Sequence, residues 1–553
     1  MTNETFDYVI VGAGSAGCVL ASRLSEDRDV SVLVLEAGPS DRRSLFVLPM
    51  PAAMGLAMVS KRYACFFETE PEPYLDNRRI RYPRGRVVGG SSSINGMVYL
   101  RGNPLDYDGW AQLGLRNWSY AHCLPYFRRL ETNDRGGDDF RGADGPIHVT
   151  TGPGRHPLFE AYLEAGQQAG HAWTEDVNGY RQEGVFHMQR SVRDGVRCSA
   201  SAAYLRPALT RPNLHLETGA LVSRVLTEKG RAVGVAYRRG GRAEIAHAAR
   251  EVILCGGAFN SPQVLMLSGI GPADHLRDQG IDVVADVPGV GGHLQDHLDF
   301  FIQHECREAI SYSASATPLG KLKVGLQWLT SKSGLGATNV WETGSFFRSH
   351  PGVAFPNLQH HFAPVMFDAT GEVDTSRHGF QAHLSQMRPS SRGTLRLRSG
   401  DPRDPPVLRF NHLREEADRQ EIRDGVRLTR DLFAQPAFDR LRGRELLPGP
   451  DVRTDAEIDA YARATAETSH HPSGTCKMGT DETAVVDEKA RVCGVEGLRV
   501  VDASIMPNIV TANLNVPTLM LAEKAADIIK GQDPLPPADV AYFGADDGAA
   551  GRG

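Results

Sequence analysis

A short glycine pattern near the start of the chain narrows its possible folds more than any other segment. Gly12-Ala13-Gly14-Ser15-Ala16-Gly17 spells GxGxxG between an apolar run, Tyr8–Val11, and a segment of helical character, Ala16–Leu24. A second apolar run, Val30–Leu35, follows and leads into Glu36. Strand, glycine turn, helix and strand in this order make a βαβ dinucleotide cradle. Gly12 permits the tight turn, Gly14 lets a pyrophosphate reach the backbone, and Gly17 lets helix and strand pack closely. The helix N-terminus offers free N–H groups and partial positive charge to phosphate. Glu36, 19 residues beyond Gly17, is placed to bind both hydroxyls of an unphosphorylated ribose. The unbroken apolar second strand suits a parallel sheet covered on both faces. The pattern leaves NAD and FAD both open.

At 553 residues the chain exceeds one ordinary domain, and its 41% hydrophobic residues can fill sizeable cores. Its net charge of −6 supplies no basic field for nucleic acid. Eight cysteines are scattered without a CxxC pair, which predicts reduced thiols and a cytoplasmic setting. No metal site is expected. The opening MTNETFDYVIVGAG lacks a charged stretch ahead of an apolar one, so it does not read as a secretory signal. The most apolar stretch, Phe46–Val59, is shorter than the ~20 residues of a spanning helix and is broken by prolines. It reads as a surface loop or lid, with peripheral contact to the inner membrane left open.

Residues 83–96 form a second glycine- and serine-rich patch, and 130–155 read as a long surface connection. Residues 213–255 alternate short β runs, Ser261–Leu267 is helical, and the section from about 300 to 415 mixes β runs and loops. Arg414–Leu432 and Asp455–Ala466 have amphipathic helical periodicity. Val516–Lys530 is a clear helix, with Asn515 as its cap, Pro517 in its first turn and Gly531 after its end. From about Gln532 to residue 553 the composition predicts a disordered tail.

Several separated segments resemble signatures of the glucose–methanol–choline oxidoreductases. They are RGRVVGGSSSING at 84–96, GGAFNSP at 256–262 with SGIG at 268–271, and GVGGHLQDH at 289–297. HPSGTCKMG at 471–479, VDASIMP at 501–507 and TAN at 511–513 continue the match in family order. ETEPEP at 68–73 and NGMVYLRGNPLDYD at 95–108 resemble the choline dehydrogenase and aliphatic alcohol dehydrogenase branch. The resemblance implies FAD rather than NAD. It implies an α/β architecture with a Rossmann-like, discontinuous FAD-binding domain (1–150, 210–300 and 480–531). A second, α+β substrate domain (151–209 and 301–479) would be built on a mostly antiparallel sheet. The residues carried over to FAD are Gly12, Gly14, Ser15, Gly17, Glu36, Arg86, Gly89, Gly90, Ser91, Asn95, Gly96, Val222, Asp502, Ala503 and Asn515. Some members attach FAD through a histidine where this chain has Ile94, so the flavin here is expected to be non-covalent.

Flavin-dependent oxidation of a primary alcohol to the aldehyde moves a hydride to N5, and the hydroxyl proton must leave too. A base within hydrogen-bond reach contributes roughly 10²–10⁴-fold. The resemblance makes His471 that base and Asn513 its partner, since an amide orients an alcohol or alkoxide but cannot take its proton. His470, Trp341, His361 and Asp299 would line the substrate pocket, with His297 beside them. The helix after Asn513 would turn its positive end toward the flavin, worth roughly 0.3–2 kcal/mol for charge developing there. Asp299 stands where choline-oxidising relatives carry Glu, and Cys65 where an aromatic residue is common. Both departures rank uncharged primary alcohols slightly ahead of choline. Choline dehydrogenase proper, an oxygen-using alcohol oxidase and, remotely, a flavin-containing lyase are the alternatives. The electron acceptor, whether quinone, artificial dye or oxygen, is not legible.

Overall fold

The computed structural model describes residues 4–367 and 372–544. The chain builds two large sheets. In the first, strands Leu214–Thr218, Val32–Glu36, Thr5–Val11 and the end of Arg242–Leu254 run parallel in that spatial order. Leu498–Val500 joins beside residues 252–254, also parallel. Its core strands Val9, Ile10, Val32, Val34, Val252 and Ile253 are wholly buried, as strands covered on both faces must be. The beginning of Arg242–Leu254 extends beyond this layer and pairs antiparallel with Arg231–Arg239, which pairs with Ala220–Glu228.

The glycine-turn helix, Ser15–Leu24, covers one face, and the C-terminal helix, Asn515–Lys530, packs against it. That helix ends at Gly531 in the left-handed conformation, as the sequence predicts, but Asn515 does not cap it. The Asn515 side chain accepts instead from Ser15 Oγ at 2.8 Å, so the N-termini of these two helices meet.

The second sheet is antiparallel and runs Arg442–Leu447, Leu298–Cys306, Gly379–Gln386, Leu358–Ala363, Thr343–Phe347, Gly184–His187. Glu467–Thr468 adds to the edge of Leu298–Asp299. Strand alternation divides its faces. Phe300, Ile302, Phe362, Phe380, Ala382 and Leu384 are buried on one side, near helix Glu416–Ala434. Asp299, Gln359, His361, Gln381, His383 and Ser385 stand on the other, which is polar although it too is mostly buried.

Three further expectations need correction. Residues 130–155 are no loose surface connection: Glu131–Asn133 and Ile147–Thr151 pair as parallel strands. Wholly buried Glu131 there takes ion pairs from Arg101 and Arg141, each at 2.7 Å. The section from about 300 to 415, expected to mix β runs and loops, also contains a helix, Pro318–Ser331. The disordered tail is wrong as far as residue 544: Leu535 N donates to Tyr126 Oη at 3.1 Å, Ala538 N to Ala121 O at 2.8 Å, and Tyr542 Oη to Asp108. Residues 545–553 lie outside the described residues.

Candidate active site

The cradle has the geometry its glycines demand. Gly12 sits at φ +102, and a Cβ there would lie 2.6 Å from Cys255 O. A Cβ on Gly17 would lie 1.9 Å from Gly12 O, so helix and turn touch through backbone alone. Beside Gly14 the nearest atom to such a Cβ is 3.7 Å away, which leaves the open face a pyrophosphate needs. Glu36 Oε2 accepts from Ala13 N at 2.9 Å and Oε1 from Gly38 N at 2.7 Å. Burial pushes the Glu36 carboxyl up, while these N–H groups and Arg86 draw it back. The second patch is tied to this turn by Gly89 N donating to Ala13 O at 2.7 Å. Gly90 begins a short turn with Ser91, whose Oγ accepts from Gly85 N at 3.1 Å. Asp502 Oδ2 accepts from Gly257 N at 2.8 Å and Ser261 Oγ at 2.6 Å; Ala503 O accepts from Gly474 N at 3.3 Å. Val222 is buried in its strand opposite Tyr237. Ile94 is packed with Leu48, Ala57, Tyr63, Ala64 and Val87.

One residue here had no signal in the sequence. Buried Arg197 donates to Leu48 O, Ser92 O, Asn95 O and Asn95 Oδ1. It has no carboxylate partner among the described residues, and burial lowers its guanidinium to about 9. It fixes Asn95 and the backbone of the patch.

The histidines converge where the sheets face each other. His471 Nδ1 lies 3.0 Å from His297 Nδ1, and its Nε2 lies 3.2 Å from Asn513 Nδ2. Asn513 Oδ1 faces His361 Nε2 at 3.2 Å and Gln359 Nε2 at 3.4 Å. An amide nitrogen has no lone pair to offer, so His471 Nε2 is the unprotonated nitrogen and Nδ1 carries the proton toward His297. Burial, with His297, His470, His361 and Arg84, holds His471 well below the usual imidazole range. Burial also lowers His297 to about 3, and His361 and His470 to about 4. These imidazoles are therefore neutral at physiological pH. The backbone clamps the segment: His471 N donates to Asp296 Oδ1 and Arg84 Nη1 to His470 O, both at 2.7 Å. His470 itself sits at φ +66, left-handed for a residue with a side chain.

Asp299 accepts from His383 Nδ1 at 2.8 Å and Ser385 Oγ at 2.9 Å. No Lys or Arg pairs with it among the described residues. Trp341 lies edge-on to His361 and His383, with ring centroids 6.1 and 5.7 Å away. Its indole rests on Gly96, where a Cβ would be 2.7 Å from the ring. His383 and Gln359 escaped the sequence reading, although Gly379–Gln386 and Leu358–Ala363 place them, by alternation, beside Asp299 and His361. Trp341 Nε1, His470 Nδ1, Ser473 Oγ and Ser504 Oγ are buried without a partner. A glycine cradle, a small-residue patch joined to it, and unpaired polar atoms beside a neutral histidine fit FAD and an alcohol.

Residues 6–299 and 389–522 match the N- and C-terminal parts of the family described as GMC oxidoreductase. The chain belongs to the GMC oxidoreductase family. It is an FAD-dependent oxidoreductase acting on CH–OH donors. Among its GMC relatives, an oxygen-dependent choline dehydrogenase of Burkholderia vietnamiensis is 52% identical over 98% of this chain and 96% of its own. A second, from Burkholderia multivorans, is 53% identical over the same shares. Among solved GMC-like structures, pyridoxine 4-oxidase from Mesorbium loti superposes with a TM-score of 0.87 at 30% identity, covering 96% of this chain and 100% of that one. Formate oxidase superposes at 0.89 with 26% identity, covering 96% and 99%.

Proposed function

We propose that this protein oxidises choline, or a short primary alcohol bearing a similar quaternary ammonium, to the aldehyde. The observation that carries the reading is Asp299, a mostly buried carboxylate without a Lys or Arg partner, in a pocket with neutral imidazoles and the Trp341 indole. A carboxylate without a Lys or Arg partner can pair with a cationic substrate, and an aromatic face adds roughly 0.5–2 kcal/mol. The names of the relatives at 52–53% identity agree with it. This order reverses the one drawn from Asp299 and Cys65 in the sequence: hydrogen bonds from His383 and Ser385 fix the Asp299 carboxylate in one orientation.

Bound FAD supplies the hydride acceptor. The first sheet and its helices hold it in this reading, without a covalent bond, since Ile94 offers no nucleophile. The second sheet holds the alcohol. His471 Nε2, unprotonated, takes the hydroxyl proton once the alcohol displaces Asn513 Nδ2 from its lone pair, and Asn513 Nδ2 then donates to the alcohol oxygen as charge develops there. His297 keeps the tautomer that leaves Nε2 free. We take molecular oxygen as the electron acceptor, following the names of the bacterial relatives. The proposed location is cytoplasmic and peripheral to the inner membrane. The unpaired cysteines support the first part, and exposed Leu45, Phe46, Leu56 and Val59 the second.

The deciding experiment compares choline with its uncharged isostere, 3,3-dimethylbutan-1-ol, in air-saturated buffer. Choline should have a kcat/KM at least about tenfold higher, or roughly 1.4 kcal/mol. Asp299→Asn should erase most of that preference while sparing the isostere. Equal values for the two alcohols in the wild type would return the assignment to uncharged alcohols.

A further inference from the structure

We propose that helix Pro318–Ser331 is a membrane-docking element, laid flat on an anionic lipid surface together with the apolar segment Phe46–Val59. The inference deepens the proposed peripheral location by naming the element and the lipid chemistry.

The helix carries apolar residues on its outer side as well as its inner one. Trp328 and half-buried Val324 form its inner side and pack on Met50, Ala52 and Ala53. Leu319, Leu322, Leu326 and Leu329 are 74, 59, 55 and 51% exposed. At 100° per residue, these leucines fall within one outward stripe, opposite Trp328. Single exposed leucines are ordinary, but a stripe of them along one helix marks an interaction surface. The turn beneath the helix leads into Met54–Val59, which exposes Leu56 and Val59, and is preceded by exposed Leu45 and Phe46. Two apolar segments remote in sequence thus meet at a shared foundation.

Charge decides the partner. Residues 42–67 and 309–341 contain no Asp or Glu, in a chain whose net charge is −6. The same stretches carry Arg42, Arg43, Lys61, Arg62, Lys321, Lys323 and Lys332, all exposed. Leucines flanked by cations fit the headgroup boundary of an anionic leaflet: side-chain stems lie along the apolar layer while ammonium groups reach phosphate. A second copy on the same face would set these cations against their own duplicates across a two-fold axis, which disfavours self-pairing. At 14 residues the helix is about 21 Å long, suited to lying in an interface and too short to span one. No helix among the described residues is long and apolar enough to cross a membrane.

The test is co-sedimentation of the FAD-loaded full chain with vesicles of phosphatidylcholine alone or with phosphatidylglycerol added. Binding should require phosphatidylglycerol and weaken with salt. Leu322→Gln/Leu326→Gln should weaken it at least about tenfold. Lys321→Glu/Lys323→Glu should do the same. Both variants should keep wild-type flavin content and turnover of a soluble alcohol. If the wild type binds but the helix variants bind equally well, the helix is not the dock, although the peripheral location survives. If the wild type ignores anionic vesicles, both fall. A wild-type dimer that the leucine variant splits, seen by light scattering, would make the face a self-interface and overturn the proposal.

Discussion

His471 has three neighbours that each do something different to it. Asn513 holds Nε2, His297 takes the proton side of the ring, and Asp296 anchors its backbone. His471→Ala should therefore leave flavin bound while its reduction by alcohol slows by roughly 10²–10⁴-fold. Asn513→Ala should cost less, since one hydrogen bond to a charged group is worth roughly 1.5–3 kcal/mol. Anaerobic stopped-flow reduction measures both; equal losses would mean that Asn513 sets the tautomer as well as binding the alcohol. Because His471 is held well below the usual imidazole range, it stays neutral as pH falls through 6.5. The acid limb of kcat/KM for the wild type should accordingly lie below that value. The sequence singles out His471 and Asn513 because their segments resemble a family signature, and the structure brings the two side chains together. Arg197 was not legible, because a lone arginine whose partners are backbone carbonyls leaves no pattern in sequence.

Periodicity revealed elements where it matched the ordinary rule and hid them where it did not. Glu416–Ala434 and Asp455–Thr465 bury one stripe and were read within two residues of their observed bounds. Pro318–Ser331 has leucines at helical spacing, yet glycines at 320 and 325 and a wet apolar face disguise it. The strands of residues 131–151 were hidden for another reason: Glu131–Asn133 is short and wholly polar, with Glu131 buried in ion pairs, and its partner strand carries only Ile147 and Val149 as apolar residues. Arg101 and Arg141 hold the Glu131 carboxyl down at about 2. That stabilisation is present above the ordinary carboxyl range and lost only as pH falls through about 2, so it is constant from pH 5 to 8. Glu131→Gln leaves buried Arg101 without its carboxylate partner and Arg141 with Asp176 alone, and should destabilise the protein by about 3–5 kcal/mol. Denaturant unfolding checks this; a loss below about 1 kcal/mol would mean that Asp176 compensates Arg141 alone.

Across the molecule, buried histidines outnumber buried carboxyls of raised affinity. His297, His360 and His412 are lowered to about 3, and His293, His361 and His470 to about 4. Each is neutral when folded and takes up a proton near pH 6.5 when unfolded, so its stabilisation is lost as pH falls from 6.5. Asp106 and Asp296 are raised to about 6 and Glu421 to about 7, which acts in the opposite direction. The histidines prevail in number, and the Tm should fall between pH 7 and pH 5. A Tm that rises over that interval, measured by calorimetry, would mean the carboxyls dominate.

The 2.8 Å contact between Ser15 and Asn515 has a consequence in time. The ribosome delivers the glycine turn first and the helix that flanks it nearly last. Strand Leu498–Val500 and helix Asn515–Lys530 complete the cradle only after the whole second sheet has emerged. At roughly 5–20 residues per second, the nascent chain waits tens of seconds with half a nucleotide site. Flavin capture is therefore a late, nearly post-translational event, and a chain that stops short of residue 498 should emerge colourless.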